Sequence, residues 1–278
     1  MEHLFNTWII IMIIAVCSCL LVSELTRNYS QVDKLWSLMP IIYGLLAFLA
    51  NPSPRLAIMC VLITIWGFRL SFNFYRKGGY NIIPWKGEED YRWKVLRQHP
   101  ALKGRIRFGL FNLFFISFYQ HFLIFLFSSP LLLAARNKTG NLTFLDIITA
   151  FLMLVFIVIE TIADNQLFRF HKLKRYQENP GRLYFKSLEK GFMSEGLWRF
   201  VRHPNYASEQ AIWISFYFFG VAATGNLINW TLAGPLLLIL LFSGSSQMTE
   251  SISSGKYPDY AAYRKDVPRF LPDILHKE

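Results

Sequence analysis

At 278 residues, 53% of them hydrophobic and 17% aromatic, the chain is too apolar for an ordinary soluble domain. Its formal charge of +11 comes from 29 Lys and Arg against 18 Asp and Glu. These basic residues are split among loops between apolar runs and follow no reader motif, which argues against nucleic acid as a partner. No Cys/His spacing suits zinc, so no metal is expected.

Seven apolar runs approach the roughly 20 residues a helix needs to cross a bilayer. They lie at about 4–22, 35–50, 55–75, 108–134, 142–163, 206–225 and 227–244. The fold class expected is therefore all-α, a polytopic membrane bundle of about seven transmembrane helices forming one membrane-embedded domain over 1–278. The first run lacks a basic leading region and is long for a secretory signal, so it reads as a span. Cys17, Cys19 and Cys60 fall within spans, where small apolar packing is the expected role. The fourth run is long enough to tilt or break near Pro130.

Charge orients the bundle. Nine basic residues fall in 76–107, nine in 164–205 and five in 256–277, while the links near 51–54 and 226–230 carry none. The positive-inside rule puts the rich segments on the cytosolic side, with the amino terminus outside and the carboxyl terminus inside.

Four polar places interrupt the apolar pattern. At the start of the second span stand Gln31, Asp33, Lys34 and Trp36. Two readings stay open: a solvated helix start with Asp33 near the N-cap, or an Asp33 that faces the interior and hydrogen-bonds a substrate oxygen. In the third span Trp66, Arg69 and Asn73 share one helical face by spacing, which suits a wet cavity, although Arg69 can also snorkel to headgroups. Glu88 to Trp93 reads as an interfacial helix whose carboxylates are also able to close over a ligand. Gln120 and His121 read as packing or helix–helix hydrogen bonds.

The densest polar set lies later. Glu160 and Asp164 are one turn apart at the inner end of the fifth span, followed by Gln166, Phe168, Arg169 and His171. Beyond a basic loop come Glu195, Gly196, Trp198, Arg199, Arg202, His203, Pro204, Asn205, Tyr206, Glu209, Gln210 and Trp213. Opposed, the two sets make a chamber with both signs of charge. A nucleotide suits such a chamber, since phosphates want Arg or Lys and ribose hydroxyls want carboxylate or amide acceptors. Pro204 reads as the first residue of the sixth span, where a missing N–H costs nothing. The plainer account is topology-setting arginines ahead of a proline start.

These motifs, with Asp33 to Trp36, Trp66 to Arg69 and the ending from Tyr257 to Pro272, resemble the DUF1295 branch of the steroid 5-alpha-reductase-like membrane proteins. The likeness runs from about residue 30 to 272 and is most specific in the carboxyl half. It implies a seven-span fold with the cofactor half at about 142–272, binding NADPH on the cytosolic side. It also implies reduction of a carbon–carbon double bond conjugated to a carbonyl in a steroid- or isoprenoid-like lipid. By position Asp164, Asn205 and Glu209 match cofactor contacts, the motif arginines match phosphate contacts, and Tyr260 and Arg264 help close the site. The resulting cofactor set is Glu160, Asp164, Gln166, Arg169, His171, Trp198, Arg199, Arg202, His203, Asn205, Tyr206, Glu209, Tyr260 and Arg264. The steroid enzymes hold the substrate carbonyl with a glutamate and a tyrosine. Here Asp33 and Trp66 take those places and become the catalytic candidates, stabilising an enolate oxygen as hydride reaches the β carbon.

Two competitors are kept. Arg202-His203-Pro204 and the Tyr-rich ending also resemble membrane methyltransferases of the isoprenylcysteine carboxyl methyltransferase type, which use S-adenosylmethionine. Those enzymes carry a Glu-Glu pair before the ending, whereas here Glu250 is followed by Ser251. The other competitor is a non-catalytic lipid-binding membrane protein.

Overall fold

The computed structural model describes residues 2–83, 85–137, 141–176 and 184–272. Among them there is no strand, and six helical stretches are long and apolar enough to cross a membrane. The protein is an all-α integral membrane bundle.

The chain opens with α1 (Glu2–Thr26), which buries Leu4, Trp8, Met12, Cys19 and Ser23 along one face. Ile10, Ile13, Ile14 and Leu21 stay exposed on the other side, as lipid-facing residues do. The second stretch comprises α2 (Gln31–Trp36) and α3 (Met39–Ala50). It breaks at Ser37 and Leu38 because Pro40 lacks an amide hydrogen and crowds the carbonyl of Trp36. Ser53 caps α4 (Pro54–Arg76), its hydroxyl accepting from the Leu56 amide, and Pro54 occupies the first turn. α3 and α4 approach closely: a Cβ on Gly67 would lie 2.7 Å from the Ser37 carbonyl oxygen. Small residues permit such backbone approach in bilayers, where packing rather than water drives association.

A short helix, α5 (Tyr91–Gln98), follows the third stretch and overlaps the end of the helix expected at Glu88 to Trp93. Asp90 caps it by accepting from the Arg92 amide at 2.9 Å. Burial alone would raise the Asp90 carboxyl, but the Arg92 guanidinium and amide hold it below the usual carboxylate value. The fourth stretch is α6 (Arg105–Phe111), a π-helical segment at Asn112–Tyr119, α7 (Gln120–Ser128) and α8 (Pro130–Arg136). Its break falls at Pro130, as expected. α9 (Phe144–Tyr176) runs well past the expected end at 163, so Asp164 to His171 continue the helix.

α10 (Phe185–Lys190) and a 3₁₀ turn at Gly196–Arg199 lead into α11 (Pro204–Thr224), which begins at Pro204 as anticipated. α11 accounts for six apolar stretches standing where seven runs were expected. It is long enough to span, but Asn205, Ser208, Glu209 and Gln210 in its first two turns keep it out of the six apolar stretches. After a short 3₁₀ turn, α12 (Ala233–Lys256) extends twelve residues past the expected end at 244. A short α13 (Tyr260–Asp266) closes the described chain.

The backbone divides into two compact units, 1–150 with 216–235 and 151–215 with 236–278. In the first, a fully buried ion pair ties α4 to α9: Arg55 donates from Nε and Nη2 to the two Asp146 oxygens at 2.7 and 2.9 Å. Asp146 also accepts from the Thr143 amide and hydroxyl.

Candidate functional site

The second unit gathers its charge around Glu250, on the carboxyl-terminal part of α12 and only 1% exposed. Arg202 donates to both Glu250 oxygens, at 2.8 and 3.3 Å, and His203 Nε2 lies 3.0 Å from Oε1. Arg264 and Arg269 add longer ion pairs at 3.4 and 3.5 Å. Three guanidiniums and an imidazole thus share one carboxylate.

The same knot straps the tail to the motif. The Arg202 Nη1 donates to the carbonyls of Arg264 and Val267. The backbone amides of Arg202 and His203 donate to Pro268 and Arg269 at 2.8 and 3.2 Å. A fixed φ at Pro204 ends this extended pairing and starts α11 one residue later.

Other expected residues brace the knot. His203 stacks on Tyr206 at 5.4 Å, and Tyr206 packs on Phe242 at 4.7 Å. Gln166 accepts from the Leu197 amide at 3.0 Å, which fixes the 3₁₀ turn. Gly196 at φ 62° makes that possible, since a Cβ there would sit 2.6 Å from the Gln166 amide group. Trp198 is buried with Phe170 and Met193, and its carbonyl accepts from the Tyr263 hydroxyl. Tyr260 is walled in by Phe192 and Tyr263, and burial pushes its phenol up to about 12. It supports the tail from beneath.

Asp164 and Glu160 are both buried one turn apart on α9, as the spacing required. Asp164 accepts from Asn205 Nδ2 at 3.3 Å, linking the two motifs directly. The other Asn205 amide atom, Oδ1, is buried without a hydrogen-bond partner among the described residues. Glu209 accepts from the Trp213 indole one turn on, at 3.1 Å. Arg169, His171 and Arg199 are exposed, and Arg199 lies over the Phe200 ring at 4.5 Å rather than on Glu250.

Beside the knot opens a cavity of about 510 Å³ lined by Gly244, Gln247, Met248, Ser251, Ser254 and Arg264. It presents a guanidinium, hydroxyls and an amide. Arg264 therefore reaches Glu250 with one edge and borders open space with the other.

In the first unit Asp33 accepts from the Trp93 indole at 3.1 Å, while Trp66 is fully buried. Trp66, Arg69 and Asn73 do turn inward, and Ile65, Phe68 and Phe72 face out. A cavity of about 720 Å³ in this unit, lined by Asn28, Tyr80, Trp85, Lys86 and Glu88 among others, includes neither Asp33 nor Trp66. His121 is buried and bonded, as expected, with Nδ1 2.7 Å from the Ser117 carbonyl oxygen and Nε2 3.8 Å from Cys19 Sγ on α1.

Glu250 and Arg269 were absent from the expected site. Glu250 had a signal: it is the one acidic residue between Glu209 and Asp259, in a segment ending an apolar run.

A protein of Schizosaccharomyces pombe, the uncharacterized protein C594.04c, is 39% identical over 268 residues, covering 91% of this chain and 75% of its own length. No solved structure matches the chain. The family described as a protein of unknown function, DUF1295, matches residues 19–267, which take in both charged motifs, Glu250 and all of α13 but not Pro268 or Arg269. The chain belongs to the DUF1295 family.

Proposed function

We propose that the protein is a membrane-bound, NADPH-dependent reductase of a carbon–carbon double bond conjugated to a carbonyl in a steroid- or isoprenoid-like lipid. The observation that carries this reading is the surplus of cations around buried Glu250, next to a cavity edged by Arg264. One carboxylate cannot neutralise three guanidiniums, so the remaining charge favours a phosphate-bearing ligand. The residues present fit such a ligand. Arg264 offers a half-exposed guanidinium, Ser251 and Ser254 offer hydroxyls, and the unpartnered Asn205 Oδ1 is an acceptor for a sugar hydroxyl.

When bound, NADPH supplies hydride. The chain's own tasks are to hold phosphate with Arg202, Arg264 and Arg269, to accept ribose hydroxyls at Asp164 and Asn205, and to polarise the lipid carbonyl with Asp33 and Trp66. The steroid-reductase likeness in the same motifs supports these roles. Counting α11 as a seventh crossing, the basic segments place the knot on the cytosolic side with the amino terminus outside. The compartment is then the endoplasmic reticulum membrane in a eukaryote, or the inner membrane in a bacterium.

A methyltransferase is the second reading, favoured by one observation: Glu250 alone bonds both Arg202 and His203, the work expected of a Glu-Glu pair. Charge separates the two. S-adenosylmethionine carries a sulfonium cation and no phosphate, so surplus arginines disfavour it. Thermal unfolding of the purified protein with NADPH or S-adenosylmethionine tests this directly. NADPH should raise the midpoint, and Arg202→Ala or Asp164→Ala should remove the rise. A rise with S-adenosylmethionine alone overturns the reductase reading, and binding of lipid without turnover identifies a non-catalytic binder.

A further inference from the structure

The α1–α7 seam of the first unit carries two buried polar stations. At one, His121 Nδ1 lies 2.7 Å from the Ser117 carbonyl oxygen, which places the ring proton on Nδ1 and leaves Nε2 to accept from the Cys19 thiol at 3.8 Å. The π-helical segment turns Ser117 toward Asn112, and Asn112 toward Glu24, at 3.2 and 2.9 Å. This station is bonded throughout.

The other station is not. Trp8 and Tyr43 are both fully buried, their rings stacked at 4.3 Å and 24°. Phe125 stands edge-on to both, at 6.0 and 6.3 Å. Neither the Trp8 indole nitrogen nor the Tyr43 hydroxyl has a hydrogen-bond partner among the described residues, and the same holds for the hydroxyl of Ser128. Ser128 lies one turn from Phe125 on the same face of α7. Buried polar groups without partners are rare in native proteins and call for an explanation. A seam that bonds one station fully and leaves the indole nitrogen and the hydroxyl of a stacked aromatic pair open points to a partner from outside the chain.

We propose that Trp8, Tyr43 and Phe125 form a binding station for the oxygen-bearing end of an apolar ligand, a lipid ketone or alcohol. The indole can only donate, so the ligand atom facing it must accept. A carbonyl oxygen has two lone pairs, one for the indole N–H and one for the tyrosine O–H. An alcohol accepts from the indole and donates to the tyrosine. The ring walls suit isoprenoid or flat hydrocarbon, and a charged headgroup has no counter-charge among the station's residues. Access requires a neighbour to move. Met12, one turn from Trp8 on the buried face, is an unbranched side chain suited to that. The station involves no cofactor residue, so it stands whatever the fate of the reductase reading.

The test is thermal unfolding of the full chain in detergent with farnesylacetone, farnesol or the oxygen-free hydrocarbon farnesane. The ketone and alcohol should raise the midpoint and farnesane should not. Tyr43→Phe removes an orphaned hydroxyl at nearly constant volume, so ligand-free protein should melt at the same temperature or higher, whereas Trp8→Phe also leaves a cavity and should melt lower. Both should weaken the ketone by about tenfold, the scale of one lost hydrogen bond. Should Trp8→Phe fail to fold, Tyr43→Phe, which deletes a single oxygen, decides alone. The proposal is overturned if no oxygen-dependent shift occurs in the wild type, leaving only a buried water, or if the shift survives in Tyr43→Phe.

Discussion

In the first unit Arg55 faces one carboxylate, and in the second Glu250 faces three arginines and a histidine. Arg55 and Asp146 are both essentially inaccessible, and Thr143 satisfies the rest of the carboxylate. That pair is balanced in charge, and both Asp146 oxygens are hydrogen-bonded. Around Glu250 the count is uneven, and the cations range from 8% exposed at Arg202 to 50% at Arg264. A buried pair with equal charges serves the fold, and removing one member strands the other. A carboxylate outnumbered by partly wet cations holds the fold and leaves positive charge for a ligand. The same residue types thus do different work according to stoichiometry and exposure.

The largest effect should come from breaking the buried pair. Arg55→Met leaves Asp146 buried and uncompensated, at a cost of about 3–5 kcal/mol. The double change Arg55→Met with Asp146→Leu should recover most of it, as read from unfolding in mixed micelles. A double variant as unstable as the single would show that the pair is not the structural element described.

Glu250→Gln comes next, at roughly 2–3 kcal/mol, because the half-exposed arginines can rehydrate when the tail lets go. Residues 257–272 should then become open to limited proteolysis. Added phosphate should restore part of the protection, whereas Asp146→Asn should gain nothing from phosphate. Rescue of both, or of neither, would erase the distinction between the two units.

Arg264→Ala should cost under about 1 kcal/mol in stability, as exposed ion pairs do. On the proposed function it should nevertheless weaken NADPH by about tenfold, one charge-assisted contact to phosphate. Equal affinity in the variant would move the phosphate away from this cavity.

The smallest effect is the alkaline pH dependence that Tyr260 contributes to the second unit. Burial raises the Tyr260 phenol from 10.0 to about 12, so the folded state favours the neutral form. Its contribution is complete below pH 10.0 and is lost as the pH climbs through about 12. Tyr260→Phe should flatten that part of the alkaline unfolding curve.

Several elements were legible because their causes are local. Pro130 and Pro204 start helices where a missing amide hydrogen costs nothing, and the Trp66, Arg69 and Asn73 face follows from 3.6-residue periodicity. Asp164 and Asn205 were named from their motifs, and the fold bonds them to each other. Glu250 was missed because hydropathy ends the last span at 244, where Ser and Gly begin to dilute the run. The helix continues because its later turns pack against the tail and the Arg202 motif, which no local window contains. The break between α2 and α3 had a local cause in Pro40, yet the long continuation of α9 did not.

The sequence by itself determined that this is a helical membrane protein, where most spans lie, and which two motifs carry charge. Those are properties of apolar length, proline position and loop composition, each readable within a few turns. Only the tertiary structure decided which charge meets which. It drew three arginines and a histidine onto Glu250, held Asp33 on the Trp93 indole, and left the Trp8 indole nitrogen and the Tyr43 hydroxyl buried without hydrogen-bond partners among the described residues. Pairing of this kind depends on residues dozens of positions apart reaching one point. In a low-dielectric interior each such group must find a partner or pay for its absence, and only the packed fold determines which it does.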